Sequence, residues 1–141
     1  MNTIPIEALR IMDERFGHDN LIAVATCADG IPYVRAVNAY YEGSAFYVIT
    51  YAKSAKMGQI AENPTVAICG EWFTAHAVAE SLGWIGKPVN ADMADKLNTV
   101  FAEWIDNGHI DQADTNTIIL RLRLTDGVLM ANGVRYELQF S

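Results

Sequence analysis

Two lysines and a serine at the start of a short predicted helix have the chemistry of an anion site. Lys53, Ser54 and Lys56 lie where unpaired N–H groups and the helix macrodipole make the potential positive, so lysine is unfavourable there. A bound phosphate would remove this conflict, because it would accept hydrogen bonds from the N–H groups and from Ser54 and would pair with Lys56. The alternative is that both lysines are solvated on an exposed turn, which is common and costs little.

Arg35 is a further cation that could reach the same anion. It lies in a predicted strand, on one face with Tyr33 and Val37 and between mostly apolar neighbours. A charge in such surroundings is usually paired. If this strand runs beside Thr50, the guanidinium can bind the phosphate through two hydrogen bonds. The residues alone leave both interpretations open, a phosphate site and a set of solvated cations.

The elements that must position these residues are short strands and a few helices. Apolar periodicity, with Gly or Pro near the boundaries, predicts helices over 4–16, 54–62 and 90–107. The first of these carries Ile6, Leu9, Met12 and Phe16 at helical spacing. Strands are predicted over 21–28, 33–41, 45–51, 65–70, 73–81, 117–124, 128–131 and 134–140, with Asp126-Gly127 and Asn132-Gly133 as hairpin turns.

This order of elements predicts an α+β fold built around a small barrel of six or seven antiparallel strands, because closure hides the strand edges. The chain has 141 residues, of which 51% are apolar, so a single domain over residues 1–141 with one core is expected. The isolated cysteines Cys27 and Cys69 stand in apolar stretches, which favours buried free thiols.

Composition and motifs exclude several classes of function. A net charge of −7 argues against nucleic-acid binding, which needs a clustered basic surface. No apolar run approaches the length of a membrane span and no secretory signal is seen, so a cytoplasmic protein without membrane contact is expected. His18, His76 and His109 never fall at metal-ligand spacing, so no metal site is predicted.

Over about residues 21–83 the chain resembles the pyridoxamine 5′-phosphate oxidase-like, FMN-binding split barrels, especially their short general-stress-protein branch. In that family a strand with R-x-V precedes a strand that ends in Thr, then S-x-K opens a helix, and N-P leads into the next strand. These motifs appear here in the same order, as Arg35-Ala36-Val37, Thr50, Ser54-Ala55-Lys56 and Asn63-Pro64.

The resemblance implies that FMN is the cofactor and that it lies at the interface of a homodimer. The implied phosphate ligands are Arg35, Ser54 and Lys56. Thr50 and Tyr51 would line the ribityl and ring region, and Ala36 and Val37 would run along the isoalloxazine edge, with hydrogen bonds from the Val37 backbone. Trp72 and Phe73 of a second copy could complete the site, or they could be packing residues of the barrel.

The chain departs from the oxidase itself at three places, of which position 40 and the C-terminal motif would serve the substrate of that enzyme. Tyr40 stands where a lysine is usual, Ala55 replaces an arginine, and the C-terminal arginine and histidine near a tryptophan do not occur. An FMN-dependent oxidoreductase with another substrate is therefore expected, and no residue is identified as its acid or base. The alternatives are a flavin carrier or sensor without catalysis, and a split barrel that binds haem or deazaflavin.

Overall fold

A computed structural model describes residues 4–140 as seven strands, three α-helices and one short 3-10 helix. They are α1 (Ile6–Phe16), β1 (Asn20–Ala28), β2 (Ile31–Glu42), β3 (Ala45–Tyr51), α2 (Ala55–Glu62), β4 (Thr65–Gly70), β5 (Phe73–Trp84), a 3-10 turn (Pro88–Asn90), α3 (Ala91–Val100), β6 (Thr117–Ala131) and β7 (Val134–Gln139).

The strands form one antiparallel sheet in the order β3-β2-β1-β4-β5-β6-β7. An additional pairing of β3 with β6 closes the first six of these strands into a barrel, and β7 lies outside it on β6. The predicted α+β split barrel is therefore confirmed. Its helices follow from the same local signals as the prediction, since Pro5 precedes α1 and Asn63-Pro64 ends α2.

Alternate residues of the strands fill the barrel, as strand geometry requires. Three aromatic rings meet at its centre: Phe16 of α1 lies 5.5 Å from Phe46 and 5.4 Å from Phe73, centroid to centroid. Phe73 is only 2% exposed. The suggestion that Phe73 could serve a second copy is therefore wrong, because this side chain belongs to the core of its own barrel.

A second apolar cluster lies on the outside of the barrel, under α3. Leu97, Phe101 and Ile105 pack there against Ile85 and Ile119. The predicted helix over 90–107 is shorter in the structure. Regular α-helix ends at Val100, and the chain continues in turns whose N–H to C=O hydrogen bonds span three or four residues. The apolar periodicity predicted the burial of this segment correctly and its helix length wrongly.

The Asp126-Gly127 pair does not form the predicted turn. Both residues lie inside β6, which runs unbroken past them, and the ladder with β5 shifts by one residue at Thr125. Thr125 is thus the extra residue of a β-bulge. A Cβ at position 127 would stand 3.0 Å from the backbone oxygen of Thr74, so the glycine permits the close approach of β5.

Two predictions of burial also fail. Ile6 is 85% exposed, because Ala8 and Ile11 share the buried face of α1 with the predicted Met12 and Phe16. The thiols are free, but Cys69 is exposed and Cys27 is only half-buried. Both cysteines alternate out of the barrel, and a strand's period of two decides this regardless of the apolar composition around them.

Candidate functional site

The barrel is open along one edge of β2. Residues 31–39 of this strand pair with β1, whereas its ladder with β3 covers only residues 40–42. Within the described part of the chain, the β3-facing edge of residues 31–39 therefore has no strand partner. Backbone N–H and C=O groups on such an edge can bind another chain or a ligand. The turn after β3 leads directly into α2, whose first residues lie near this opening.

Arg35 reaches from β2 toward α2 and is held there by three acceptors. Its Nη1 donates to Thr26 Oγ1 at 2.9 Å and to the Val24 carbonyl at 3.3 Å, and its Nη2 donates to Gln59 Oε1 at 2.8 Å. Thr26, which is 2% exposed, itself donates to Gln59 Oε1 at 2.6 Å. Burial lowers the pKa of the Arg35 guanidinium. These contacts fix the side chain without neutralising it.

Lys56, in the first turn of α2, places a second cation close by. Its Nζ donates to Thr50 Oγ1 at 2.7 Å, which links α2 to the end of β3. Burial lowers the pKa of this lysine, and the positive charge of Arg35 lowers it further. The two cations thus lie close enough to repel each other in a partly desolvated place.

Neither cation has an acidic partner. All ion pairs formed within residues 4–140 involve other side chains, so no carboxylate pairs with Arg35 or Lys56. Charges that are partly removed from water are normally paired with an opposite charge. Two neighbouring cations without a carboxylate therefore form a place where an anion would bind favourably.

Ser54 supplies a hydrogen-bonding group at the same place. It is the N-cap residue of α2, yet its side chain makes no capping hydrogen bond. Its Oγ is buried and, among the residues described, has no hydrogen-bond partner. Buried hydroxyl groups are almost always hydrogen-bonded, so an unsatisfied one points to a missing acceptor or donor. The predicted arrangement of a serine and a lysine at a helix start is present.

The structure brings four predicted residues together and leaves others apart. Arg35 contacts Gln59, one helical turn from Lys56, and its charge reaches the lysine, which in turn contacts Thr50 and lies two residues after Ser54. Ala36 and Val37 lie on the part of β2 that has the open edge. Ala36 is exposed, whereas Val37 is partly buried against the core. Tyr51 is exposed at the end of β3. Trp72 lies away from this cluster, in the turn between β4 and β5. Cys69 at the end of β4 pairs with Ala23, so this turn is near the start of β1, whereas Thr26, which Arg35 contacts, is near the end of β1.

Thr26 and Gln59 are the site residues that sequence reasoning missed. Both had a signal. Thr26 is a polar residue with an inward register in a mostly apolar strand, and Gln59 follows Lys56 by three residues, which places both on one helix face. Only the packing of α2 against β1 brings these two residues to the guanidinium.

A large open cavity lies on another face of the sheet. It has a volume of about 570 Å³, and its floor is made of small residues such as Ala23, Ala25 and Ala67. None of the cations described above lines it, whereas Asp126 and Glu137 do. Two carboxylates would repel a phosphate, so the charges favour the Arg35–Lys56 cluster as the anion site.

Comparison with known protein families identifies the chain. Residues 11–128 match the family model described as pyridoxamine 5′-phosphate oxidase. The chain belongs to this family. The match spans most of the barrel, and it includes the open edge of β2 and the first turn of α2. No curated protein matches the chain.

Solved structures show that other proteins share the fold of this family member. General Stress Protein 26 from Bacillus anthracis str. Sterne has a TM-score of 0.73 at 12% identity, covering 96% of this chain and 100% of that chain. A pyridoxamine 5′-phosphate oxidase-related, FMN binding protein from Nostoc punctiforme PCC 73102 has a TM-score of 0.58 at 14% identity, covering 96% of each chain. A heme binding protein from Mycobacterium smegmatis has a TM-score of 0.64 at 18% identity, covering 92% of this chain and 55% of that chain. At these identities the likeness concerns the fold alone.

The described residues were also compared with what a membrane span and a metal site require. Across residues 4–140, no helix has the length and apolar character needed to cross a membrane. In the same part of the chain, no three His, Cys, Asp or Glu side chains are grouped so that they could hold a metal ion.

Proposed function

We propose that this chain binds FMN and acts as a flavin-dependent oxidoreductase whose substrate is not pyridoxamine phosphate. One observation carries the proposal: Arg35 and Lys56 lie together without a carboxylate, beside a buried serine hydroxyl that has no partner among the described residues. A phosphate monoester would satisfy all three groups at once. Membership of the family and the FMN binding protein of the same fold support the choice of FMN.

The residues of the site fit the parts of a flavin mononucleotide. Arg35, Lys56 and Ser54 would hold the phosphate, with Thr26 and Gln59 keeping the guanidinium in place. The open edge of β2 at Ala36 and Val37 offers backbone groups to the isoalloxazine, and Thr50 and Tyr51 would line the ribityl and ring region. The bound flavin would supply hydride or electron transfer, while the protein binds and orients it.

Tyr40 supports a substrate that differs from that of the oxidase. Its hydroxyl donates to Glu42 Oε1 at 3.0 Å, and Lys96 Nζ donates to the same oxygen at 2.7 Å. The position at which the oxidase is expected to use a lysine is thus occupied by a tyrosine bound to a carboxylate. A tyrosine supplies no positive charge for a substrate phosphate, and the nearby Lys96 already pairs with Glu42.

The decisive experiment compares FMN with riboflavin. Because the cation cluster addresses the phosphate, FMN should bind much more tightly, and titration of flavin fluorescence with the purified protein measures both dissociation constants. Equal dissociation constants would refute the assignment. NADH or NADPH consumption by the FMN-loaded protein then separates an oxidoreductase from a flavin carrier or sensor.

The heme binding protein of the same fold gives haem as a second candidate ligand. The absorption spectrum of the protein as purified distinguishes the candidates, because haem, deazaflavin and oxidised flavin absorb at different wavelengths. The cation cluster favours a phosphate-bearing flavin. A Soret band in place of the flavin bands would overturn this preference.

The proposal includes a homodimer with FMN at the subunit interface, in the cytoplasm. Trp72 supports the dimer, since its side chain is 70% exposed and tryptophan is enriched at protein interfaces relative to the rest of the surface. In this arrangement Trp72 of one copy would contact the flavin of the other. Light scattering of the FMN-loaded protein should give the mass of a dimer, and a monomer with FMN bound would contradict this part of the proposal.

A further inference from the structure

The β4–β5 turn holds a tryptophan in a backbone conformation that suits glycine. Trp72 has a φ of 51°, in the left-handed region where bulky side chains are uncommon and strained. Its indole is mostly exposed, so packing into the core does not offset this strain. Strained residues of this kind collect at binding sites, where the surrounding contacts keep them in place.

Arg15, near the end of α1, supplies such contacts. Its Nη1 donates to the carbonyl oxygens of Glu71, at 3.0 Å, and Met130, at 3.1 Å. Its Nε lies 3.9 Å from the Glu71 carboxylate, and its side chain is only 17% exposed. The N–H of Met130 in turn donates to the Trp72 carbonyl at 2.9 Å. One guanidinium therefore connects α1, the turn that carries Trp72 and the neighbouring strand β6.

Trp72 and the phosphate cluster of the same chain lie at opposite ends of β1. Cys69 pairs with Ala23, which puts the turn near the start of this strand, whereas the Thr26 hydroxyl that Arg35 contacts lies near its end. A flavin held at the cluster is therefore better placed to meet Trp72 of a second copy. An indole suits such a contact, because aromatic rings stack on one another.

We propose that Arg15 is a positioning residue for the flavin site: it holds the strained β4–β5 turn so that Trp72 packs against the flavin of a second copy. This inference rests on the proposed function. Arg15 acts only through the turn and is not placed in contact with the flavin. The alternative is that Arg15 merely fastens α1 to the barrel, and the experiments below separate the two roles.

The first experiment needs no flavin. Hydrogen exchange of the Met130 amide reports the turn directly, because this N–H donates to the Trp72 carbonyl. Arg15→Met should abolish much of the protection of this amide. The matched control is Arg10→Met, since Arg10 lies on the same helix and, within residues 4–140, its side chain bonds only to Glu7 and Glu14 of that helix. Unchanged protection in Arg15→Met would overturn the proposal.

The second experiment is a double-mutant cycle on FMN affinity. Trp72→Ala should weaken FMN binding by about tenfold, the usual effect of removing one stacked aromatic ring. Arg15→Met should weaken it several-fold in the parent but not in the Trp72→Ala background, because its effect passes through the indole. Arg15→Lys keeps a donor for the turn and should restore part of the affinity.

The outcomes distinguish this inference from the function on which it rests. Equal effects of Arg15→Met in both backgrounds would show a purely structural role for Arg15 and overturn the proposal. FMN affinity that is unaffected by Trp72→Ala would overturn it as well, while leaving the phosphate site intact. A parent protein that binds no FMN would refute the proposed function and this role together.

Discussion

Replacing Lys56 with methionine separates the phosphate contact from the rest of the flavin site. Methionine keeps an apolar stem of similar length, so the packing of α2 is preserved while the ammonium and its 2.7 Å hydrogen bond to Thr50 are removed. Lys53 provides the matched control, because Lys53→Met removes the same charge from an exposed position three residues earlier, in the turn before α2. We expect Lys56→Met to weaken FMN binding and Lys53→Met to leave it nearly unchanged.

The expected size of the effect follows from the geometry. Lys56 is half-buried beside Arg35, so its contact with a phosphate would be a charge-assisted hydrogen bond in a partly desolvated place. Such a bond contributes about 1.5–3 kcal/mol, which corresponds to a loss of roughly ten- to a hundredfold in FMN affinity. Riboflavin lacks the phosphate and should bind both proteins equally. Fluorescence titration of the two flavins against the parent and both variants measures these ratios.

The same substitution should stabilise the flavin-free protein. Burial and the charge of Arg35 lower the pKa of Lys56, so the folded state holds this proton less tightly than the unfolded state does. The resulting cost to stability is fully present while both states keep the proton, and it disappears as the pH rises from the lowered pKa of Lys56 to its value in the unfolded chain. Urea denaturation should therefore show a more stable Lys56→Met variant at pH 7 and a smaller difference at alkaline pH.

Flavin affinity should have a matching pH dependence. A phosphate monoester becomes a dianion above its second pKa of about 6, and Lys56 loses its proton above its own lowered pKa. FMN affinity should therefore be highest between these two values, and Lys56→Met should lose the decline on the alkaline side. The reasoning is refuted if Lys56→Met binds FMN like the parent, or if it weakens FMN and riboflavin equally.

Further substitutions test the support of the site and the packing of the barrel. Gln59→Leu removes the acceptor of the buried Thr26 hydroxyl and one acceptor of the Arg35 guanidinium, so the free energy of unfolding should fall by about 1–3 kcal/mol in urea. Because Arg35 is then held less firmly, FMN affinity should fall while riboflavin affinity stays unchanged. Gly127→Ala brings a Cβ within 3.0 Å of the Thr74 carbonyl oxygen and should lower the unfolding free energy by about 1–3 kcal/mol in urea. Gly58→Ala, in α2 with open space around the added methyl group, should instead raise it by about 0.5–1 kcal/mol, and a loss there would contradict the packing described.

Sequence patterns were sufficient where the decisive signals are local. The predicted limits of β3 and β4 agree with the structure, because strand periodicity and adjacent turn residues define them within a few positions. The start of α2 and its end before Pro64 follow from residue types alone in the same way. The conflict between lysines and a helix N-terminus was also visible in the sequence, and it led to the cluster that the structure contains.

The tertiary structure decided what depends on distant residues. The residue types of Asp126-Gly127 are typical of a hairpin turn, yet this pair continues β6. The reason is that β5 packs closely against Gly127 and forms ladder hydrogen bonds with β6 on both sides of it. The sequence left open whether Phe73 packs in the barrel or serves an interface, and the structure places it in the core beside Phe16.

The site itself divides in the same way. Residue types and spacing alone predicted that Arg35, Ser54 and Lys56 could bind a phosphate. Only the closed barrel decided that Arg35 and Lys56 lie together without a carboxylate and that Thr26 and Gln59 hold the guanidinium. The physical reason is that a charge pattern along one chain is local, whereas desolvation and the absence of a counter-charge depend on every element that packs around the site.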